Sequence, residues 1–283
     1  MPIHLTDITA GYPVYEINHP TATARIALHG AHLMEWTPAG QLPVLYLSPQ
    51  AVFQPGTAIR GGVPVCWPWF GPHPADPALP SHGFARTRFW EPSAASENEA
   101  GVSLKFTLSD DASSRRLWAH AFRLELDFRI GAELRMSLRM VNTGGTPFTI
   151  TGALHSYFAV GDIRQVRLTG LGETDYLDTA GTPRVRRQEG DLTFNREVDR
   201  TYRSQAPVGL HDDVPGRVLT IEGAGSRSTV VWNPWTAKAI TLTDLPDGDF
   251  RHFLCVETAN AGVDDITLAP GASHELSTTV RVN

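Results

Sequence analysis

The stretch from residue 122 to residue 140 reads FRLELDFRIGAELRMSLRM, in which large apolar side chains alternate with polar ones along both halves. Successive side chains of a strand point to opposite faces, so this alternation is typical of a strand that buries one face. The two halves are joined by Gly131, Ala132 and Glu133, a short glycine-containing link of the kind that closes a hairpin. The stretch therefore predicts an antiparallel β-hairpin with one buried face.

Weaker versions of this alternation recur at residues 25–36, 101–108, 218–221, 228–232 and 274–282. Turn-forming residues separate them, and only residues 110–120 suggest a short helical turn. Many short strands with frequent glycine and proline predict an all-β protein, a sandwich or a barrel. Because no linker or internal repeat divides the sequence, we expect a single domain over residues 1–283.

The composition is ordinary for a globular protein, with 283 residues of which 41% are hydrophobic and 19% charged. The net charge is -6 and the basic residues are scattered, which argues against nucleic-acid binding because such proteins carry a basic stripe. The two cysteines have no ligand-like spacing and indicate a reducing compartment. The first residues do not resemble a signal peptide and no apolar run is long enough to span a bilayer, so we expect a cytoplasmic protein without membrane binding.

Residues 64–80 interrupt the strand pattern with six prolines and three bulky aromatic residues. Proline lacks a backbone donor, so this segment cannot be a central strand and is predicted to be a long loop. Its composition favours a surface loop whose Trp67, Trp69 and Phe70 cover the core. A wall of a sugar-binding pocket is the alternative, because aromatic faces suit the C–H surfaces of sugars.

His155 and Glu257 are polar residues embedded in apolar sequence, GALHSYFAV and FLCVETAN. Each has a structural explanation, His155 as a hydrogen-bonded core histidine and Glu257 as a strand-end residue that faces solvent. Together they are more informative, because histidine and glutamate are the usual acid–base couple near neutral pH. Their ordinary pKa values of about 6.5 and 4.3 would make the required forms accessible without strong tuning.

Arg60 and Arg86 flank the proline-rich loop, and each lies beside glycines that permit close approach of a ligand. The forked guanidinium group matches carboxylate and phosphate geometry, so two arginines framing one loop suggest an anionic ligand. Either arginine alone would be explained by a surface ion pair. No phosphate-binding loop, nucleophile elbow or HExxH motif occurs, and His29 and His32 would point to opposite faces of a strand, so no metal is expected.

Five segments occur in an order that resembles the aldose 1-epimerase superfamily: IRGGVP (59–64), PWFG (68–71), HGFAR (82–86), ALHSYF (153–158) and VETAN (256–260). VDRTY (198–202) and WNPW (232–235) look like further family segments. The resemblance covers roughly residues 25–283. The HGFAR segment makes the chain most similar to the hexose-6-phosphate mutarotases, also called glucose-6-phosphate 1-epimerases.

This resemblance implies a β-supersandwich of large antiparallel sheets, with a groove on one face that receives the sugar. It implies that His155 and Glu257 are catalytic. It also implies substrate-binding residues, namely Arg60, Arg86 and Asp199, with His82, Ser81 and Trp232 as further residues of the pocket. Ser81 stands where relatives can carry glutamine, so its shorter side chain weakens the expectation of that contact.

The implied reaction interconverts the α and β anomers of a hexose 6-phosphate, with glucose 6-phosphate as the expected substrate. Ring opening needs a proton delivered to the ring oxygen by protonated His155 and one removed from the anomeric hydroxyl by ionised Glu257. No redox change occurs, so no cofactor is expected, and we expect a monomer. Two alternatives stay open: an aldose 1-epimerase acting on unphosphorylated sugars, and a carbohydrate-binding protein without catalysis.

Overall fold

The computed structural model describes residues 2–283, most of which lie in strands or in the turns between them. The described part contains two short α-helices, α1 (Ala112–Leu117) and α2 (Trp235–Ala239), and 3-10 turns at Ala85–Thr87, Ile163–Gln165 and Asp249–Arg251. The strands in chain order are β1 Ile3–Asp7, β2 Pro13–His19, β3 Ala22–Ala27, β4 His32–Pro38, β5 Val65–Cys66, β6 Glu91–Asn98, β7 Gly101–Ser109, β8 Phe122–Gly131, β9 Glu133–Asn142, β10 Phe148–Ile150, β11 Gly152–Leu154, β12 Tyr157–Ala159, β13 Val166–Thr169, β14 Asp175–Asp178, β15 Arg184–Arg187, β16 Leu192–Thr193, β17 Val198–Tyr202, β18 Val208–Asp212, β19 Arg217–Ala224, β20 Ser228–Asn233, β21 Phe253–Asn260, β22 Ile266–Leu268 and β23 Ser273–Val282.

The predicted hairpin is confirmed as β8 and β9, which pair antiparallel with Leu126 opposite Leu138 and Ile130 opposite Leu134. From Phe122 to Met140 the large apolar side chains are buried, whereas the polar residues between them are exposed or half-buried. Because the side-chain period of a strand is two, this register places every large apolar residue of the hairpin on the core face.

The strands form two large sheets, and their neighbouring strands run antiparallel. The nine-stranded sheet has the order β16-β13-β18-β19-β23-β9-β8-β7-β6, and the eight-stranded sheet has the order β15-β14-β17-β20-β21-β11-β5, with β12 also paired to β21. A four-stranded sheet of β1–β4 and a two-stranded sheet of β10 and β22 complete the set. The prediction of an all-β β-supersandwich is confirmed.

The sheets pack face to face. Strands β19 and β23 of the nine-stranded sheet contact β21 of the eight-stranded sheet, and β2 and β3 of the small sheet contact β7 and β8. One cluster of buried apolar residues contains members of all four sheets, among them Ile26, Leu126, Phe148 and Leu254. The core is therefore continuous across the sheets, and the single domain over residues 1–283 stays a prediction.

The helical turn expected within residues 110–120 is α1, and its start has a clear local cause. The Asp111 carboxylate accepts a hydrogen bond from the backbone N–H of Ser114 at 2.6 Å, and the Ser114 hydroxyl accepts one from the backbone N–H of Asp111 at 2.9 Å. This reciprocal pair satisfies donors that the first turn of a helix leaves free.

No helix between residues 2 and 283 has the length and apolar character needed to cross a membrane.

One face of the eight-stranded sheet gathers the residues of chemical interest. Residues directly opposite one another in a sheet point to the same side. The pairing puts Tyr157, Cys255, Trp232 and Asp199 in one row across β12, β21, β20 and β17. Glu257 lies in the next row, so all these side chains belong to one face, whereas Thr258 points the other way towards Gly223 of β19.

Candidate active site

His155 and Glu257 meet at the centre of this face. His155 follows β11, where its backbone N–H donates to the Pro64 carbonyl at 3.1 Å, and Glu257 lies in the middle of β21. The His155 Nε2 atom is 3.3 Å from the Glu257 Oε1 atom. Glu257 is 1% exposed and His155 is 7% exposed. The structure therefore brings together the two residues that the sequence singled out.

Two polar atoms of this pair have no hydrogen-bond partner among residues 2–283, Glu257 Oε2 and His155 Nδ1. Buried polar atoms in proteins are nearly always paired, because an unpaired one costs about 1–3 kcal/mol. Unpaired atoms on a facing acid and base are expected where a ligand supplies the missing partners.

Burial shifts the pKa values of the pair in opposite directions. It lowers the pKa of His155 well below its ordinary value, helped by the nearby positive charges of Arg86 and Arg60. It raises the pKa of Glu257 well above its ordinary value, and the Asp199 carboxylate adds to this effect. The expectation of nearly unperturbed values was wrong, because both groups lose water that would stabilise their charged forms.

Four aromatic rings surround the His155 imidazole. The Tyr157 ring stacks on it at 4.9 Å, and the rings of His82, Trp232 and Phe70 lie at 5.6, 6.2 and 6.5 Å between centroids. Such packing fixes the plane of the imidazole and keeps its Nε2 edge towards Glu257.

Arg60 reaches the site from the loop before β5. Its Nε donates to the Asp244 carboxylate at 3.1 Å, and its Nη1 donates to the Tyr157 hydroxyl at 3.0 Å. The Tyr157 contact places the guanidinium one side chain away from His155. Arg60 is thus oriented by two partners, and its charge is close enough to contribute to lowering the pKa of His155.

His82 and Gly83 lie just after the proline-rich loop and pack back against it. The backbone N–H of His82 donates to the Gly71 carbonyl at 2.7 Å, and its Nδ1 accepts from the Gly71 N–H at 3.3 Å. Gly83 has a φ of +69°, and a Cβ there would lie 2.0 Å from the Trp67 carbonyl oxygen, so only glycine fits. Burial, aided by Arg86 and Arg60, lowers the pKa of His82 to about 3, so the ring is a neutral neighbour of His155.

Arg86 lies on the 3-10 turn that follows His82 and Gly83. Its Nη2 donates to the backbone carbonyl of Ser81 at 2.8 Å, while its Nε is buried with no partner among the described residues. The Ser81 residue itself is exposed and enters the network through its carbonyl, which agrees with the weaker expectation for its side chain.

Asp199 and Trp232 form the far side of the site. Asp199 lies directly opposite Trp232, and Lys238 of α2 comes within 3.6 Å of the Asp199 carboxylate. The same ammonium group lies 6.0 Å from the Trp232 ring centroid. Five of the six expected substrate-binding residues thus lie around the pair, whereas Ser81 contacts Arg86 through its backbone; the roles of all six as ligands stay predictions.

The aromatic residues of the loop divide between the two interpretations. Trp67 and Trp69 are buried and contact Phe84, as the core-covering interpretation requires. Phe70 is half-buried and packs against His82 beside His155, as a pocket wall would.

Sequence reasoning did not single out Tyr157, Asp244, Lys238 or Cys255. Tyr157 and Cys255 could have been found, because each lies two residues from a proposed catalytic residue and alternation carries such neighbours to the same side. Lys238 lies on the short helix α2 and Asp244 in the irregular segment after it, where no strand periodicity links either residue to the sheet.

A cavity of about 620 Å³ opens on the same sheet, between β14, β17 and the loop after β21. Leu177, Thr201 and Ser228 contribute to its lining, but His155 and Glu257 do not. Thr201 and Glu257 pair with Val230 from opposite sides, so this cavity is a neighbour of the acid–base centre and separate from it.

A family model described as aldose 1-epimerase matches residues 13–281. The chain belongs to the aldose 1-epimerase family. This family membership confirms the prediction of an isomerase and favours a sugar as substrate.

Two curated relatives carry the name "Putative glucose-6-phosphate 1-epimerase". The Escherichia coli protein is 38% identical over 94% of this chain and 89% of its own length. The Salmonella typhimurium protein is 39% identical over 87% of this chain and 82% of its own length. The crystal structure of a Salmonella typhimurium protein described as a "putative mutarotase (YeaD)" matches with a TM-score of 0.93 at 35% identity, covering 99% of this chain and 93% of that one.

Proposed function

We propose that this protein interconverts the α and β anomers of hexose 6-phosphates, with glucose 6-phosphate as a substrate, and that His155 and Glu257 transfer the protons. The observation that carries the proposal is the buried His155–Glu257 pair at 3.3 Å, with the charges of Arg60 and Arg86 close enough to act on His155. The names of the two curated relatives support the phosphosugar substrate.

The pair is suited to this reaction because one shared proton can sit on either partner. Burial favours a neutral imidazole beside a protonated carboxyl group, whereas ring opening uses an imidazolium beside a carboxylate. These two forms contain the same number of protons, so moving one proton from Glu257 to His155 converts the first into the second. His155 then protonates the ring oxygen and Glu257 accepts the proton of the anomeric hydroxyl.

After rotation about the C1–C2 bond, the steps run backwards on the other face of the carbonyl carbon. Glu257 returns a proton to the carbonyl oxygen while His155 removes one from the sugar hydroxyl that closes the ring. The pair ends in its starting state and the sugar differs only at C1. A carbohydrate-binding protein without catalysis would have no use for a buried acid–base pair, so this alternative is disfavoured.

Arg60 and Arg86 are the proposed phosphate ligands. Asp244 and Tyr157 hold Arg60 in place, and Arg86 has a buried Nε that no described residue satisfies. Both guanidinium groups keep N–H donors beyond those already used, since each carries five. Hydrogen bonds to a charged group contribute about 1.5–3 kcal/mol each, enough to favour a phosphorylated sugar over a free one.

The test is to measure anomer exchange by polarimetry or exchange NMR, with glucose 6-phosphate, glucose and galactose compared at equal concentrations in excess EDTA. We expect faster exchange of glucose 6-phosphate than of either free sugar, because only the phosphosugar engages both arginines. Equal rates for all three would instead favour an aldose 1-epimerase of unphosphorylated sugars. Loss of activity on chelation, restored by one divalent ion, would contradict a mechanism carried by His155 and Glu257 alone.

A further inference from the structure

Cys255 lies beside the acid–base pair and has no part in the proposed proton transfers. It belongs to the same face of β21 as Glu257, and it is fully buried. One ligand atom each from His155, Cys255 and Glu257 lies within 4.8 Å of the other two. A nitrogen, a sulfur and an oxygen donor therefore converge on one small volume.

We propose that His155, Cys255 and Glu257 form a binding site for a thiophilic divalent cation, with Zn²⁺ as the best match, and that the bound ion inhibits the enzyme. The inhibitory half of this inference rests on the proposed function, whereas the metal-binding half does not.

The distances suit zinc. Zinc–nitrogen and zinc–oxygen bonds of about 2.1 Å in a tetrahedral site put the two donor atoms roughly 3.4 Å apart. The Nε2–Oε1 distance of His155 and Glu257 is 3.3 Å. In the same geometry the cysteine sulfur would lie about 3.6 Å from the nitrogen and from the oxygen. The three donor atoms lie within 4.8 Å of one another, so the Cys255 side chain would have to move by roughly 1 Å to reach the metal. Three protein ligands would leave the fourth position open.

The choice of zinc follows from the donor types. A thiolate and an imidazole are ligands that Mg²⁺ and Ca²⁺ rarely take, whereas Zn²⁺ takes both together with a carboxylate. Coordination releases the thiol proton and the proton of the His155–Glu257 pair to solvent. A divalent ion with one thiolate, one carboxylate and a neutral imidazole is then uncharged overall, which a buried site tolerates.

A second observation points to a ligand at this place. Glu257 Oε2 is buried and has no hydrogen-bond partner among residues 2–283, although its neighbour Oε1 is 3.3 Å from His155. Asp199 also acts on this carboxylate with the opposite sign to Arg86, so a cation at this place would lie near a second negative charge. A cation at Glu257 is therefore not simply repelled by the arginines.

Inhibition follows from the ligands themselves. A metal on His155 Nε2 removes the lone pair that carries the proton to the ring oxygen, and a metal on Glu257 removes the base. The ion and the sugar would also compete for one space. Zinc should therefore abolish anomer exchange in proportion to its occupancy and allow full recovery when a chelator removes it.

The direct test uses the purified, metal-free chain titrated with Co²⁺, which reports a cysteine ligand by thiolate-to-metal charge-transfer absorption, followed by Zn²⁺ to displace it. We expect this absorption at one equivalent in the wild type and its loss in Cys255→Ala. The affinity for Zn²⁺ should fall by at least about 100-fold, since even residues behind the ligands are worth 10–100-fold.

Cys66→Ala is the matched control, because Cys66 is the chain's other buried cysteine on the same sheet. It should keep the absorption band and the affinity of the wild type. Cys255→Ser, which is closer in size to cysteine, repeats the test if Cys255→Ala melts early. Persistence of the thiolate band in a folded Cys255 variant, or no binding to the wild type, would overturn the metal site.

The inhibitory half is measured by anomer exchange during the same Zn²⁺ titration. We expect the midpoint of inhibition to match the affinity from cobalt displacement, with EDTA restoring the rate. A wild-type enzyme that keeps its rate while zinc occupies the cluster would overturn the inhibitory half. A protein that shows the cobalt band but no exchange activity in EDTA would contradict the proposed function and with it the inhibition, while the metal site would stand.

Discussion

The β8–β9 hairpin and strand β21 both belong to antiparallel sheets, but charged residues are exposed or half-buried in the hairpin and fully buried in β21. The hairpin alternates buried apolar residues with charged residues that reach solvent. All eight residues of β21 are buried, including Glu257, Thr258 and Asn260. A strand covered on both faces can keep a polar residue only if another group satisfies it.

The polar residues of β21 then separate by how well they are satisfied. The Asn260 amide donates to the Gly225 carbonyl at 2.9 Å and to Asp264 at 3.0 Å, and its oxygen meets His274 at 3.1 Å. Glu257 has only His155, and one of its oxygens has no partner within the described chain. Full pairing identifies a structural residue, and incomplete pairing in the same strand identifies a candidate for function.

The largest effect that would test this contrast is on catalysis. His155→Ala and Glu257→Gln should each lower kcat by roughly 10²–10⁴, the usual contribution of general acid–base catalysis. Because both residues act in one step, the double variant should lose much less than the product of the single losses. The measurement is anomer exchange at saturating substrate, with thermal unfolding as the control. Folded single variants with a near-normal kcat would show that the pair is structural.

Substitutions in the hairpin should change the stability of the protein and leave the reaction unchanged. Leu126→Ala removes a fully buried side chain and should lower the free energy of unfolding by about 2–5 kcal/mol. Arg129→Ala, three residues along on the exposed face, is the matched control and should change it by no more than about 0.5 kcal/mol. Denaturant unfolding measures both. A comparable loss in Arg129→Ala would mean that the two faces of the hairpin are not as different as their burial indicates.

A smaller, selective effect is expected at the rim of the site. Arg86→Ala should weaken binding of glucose 6-phosphate by roughly 10- to 150-fold, the equivalent of one charged hydrogen bond. Turnover of free glucose should change little, because glucose has no phosphate group for Arg86 to bind. Inorganic phosphate should compete with the phosphosugar in the wild type and compete much less in the variant. An equal rise in KM for both sugars would indicate that Arg86 holds the ring or the loop.

The smallest effect concerns pH. The lowered pKa of His155 and the raised pKa of Glu257 place the single proton of the pair on Glu257, so the alkaline limit of kcat should follow the raised pKa of Glu257 and the acid limit the lowered pKa of His155. Activity should fall only at more alkaline pH, where the pair gives up its proton, and in acid, where it gains a second one.

The quantity to measure for this pH test is kcat at saturation, because the phosphate of the substrate titrates near pH 6 and would distort kcat/KM. A narrow bell-shaped profile with limbs near the ordinary values of about 4.3 and 6.5 would show that burial does not control the pair.

The hairpin could be predicted from sequence because its two faces differ in polarity. Strand β21 could not be recognised in the same way, since burial of both faces removes the alternation. His155 and Glu257 were nevertheless found, because a charged residue within apolar sequence is unusual wherever it lies. Their pKa directions were missed, as were Asp244 and Lys238, because these depend on which distant segments cover the sheet.

The two contacts that hold Arg60 have a consequence for the entropy of binding. An arginine side chain has about 2 kcal/mol of rotamer entropy to lose when it is fixed. Asp244 and Tyr157 restrict this guanidinium before any ligand arrives, so that loss accompanies folding and does not recur at each encounter with substrate. Removing the Asp244 carboxylate would keep the charge of Arg60 but restore rotamer freedom to its side chain. Substrate binding would then have to offset the loss of that entropy.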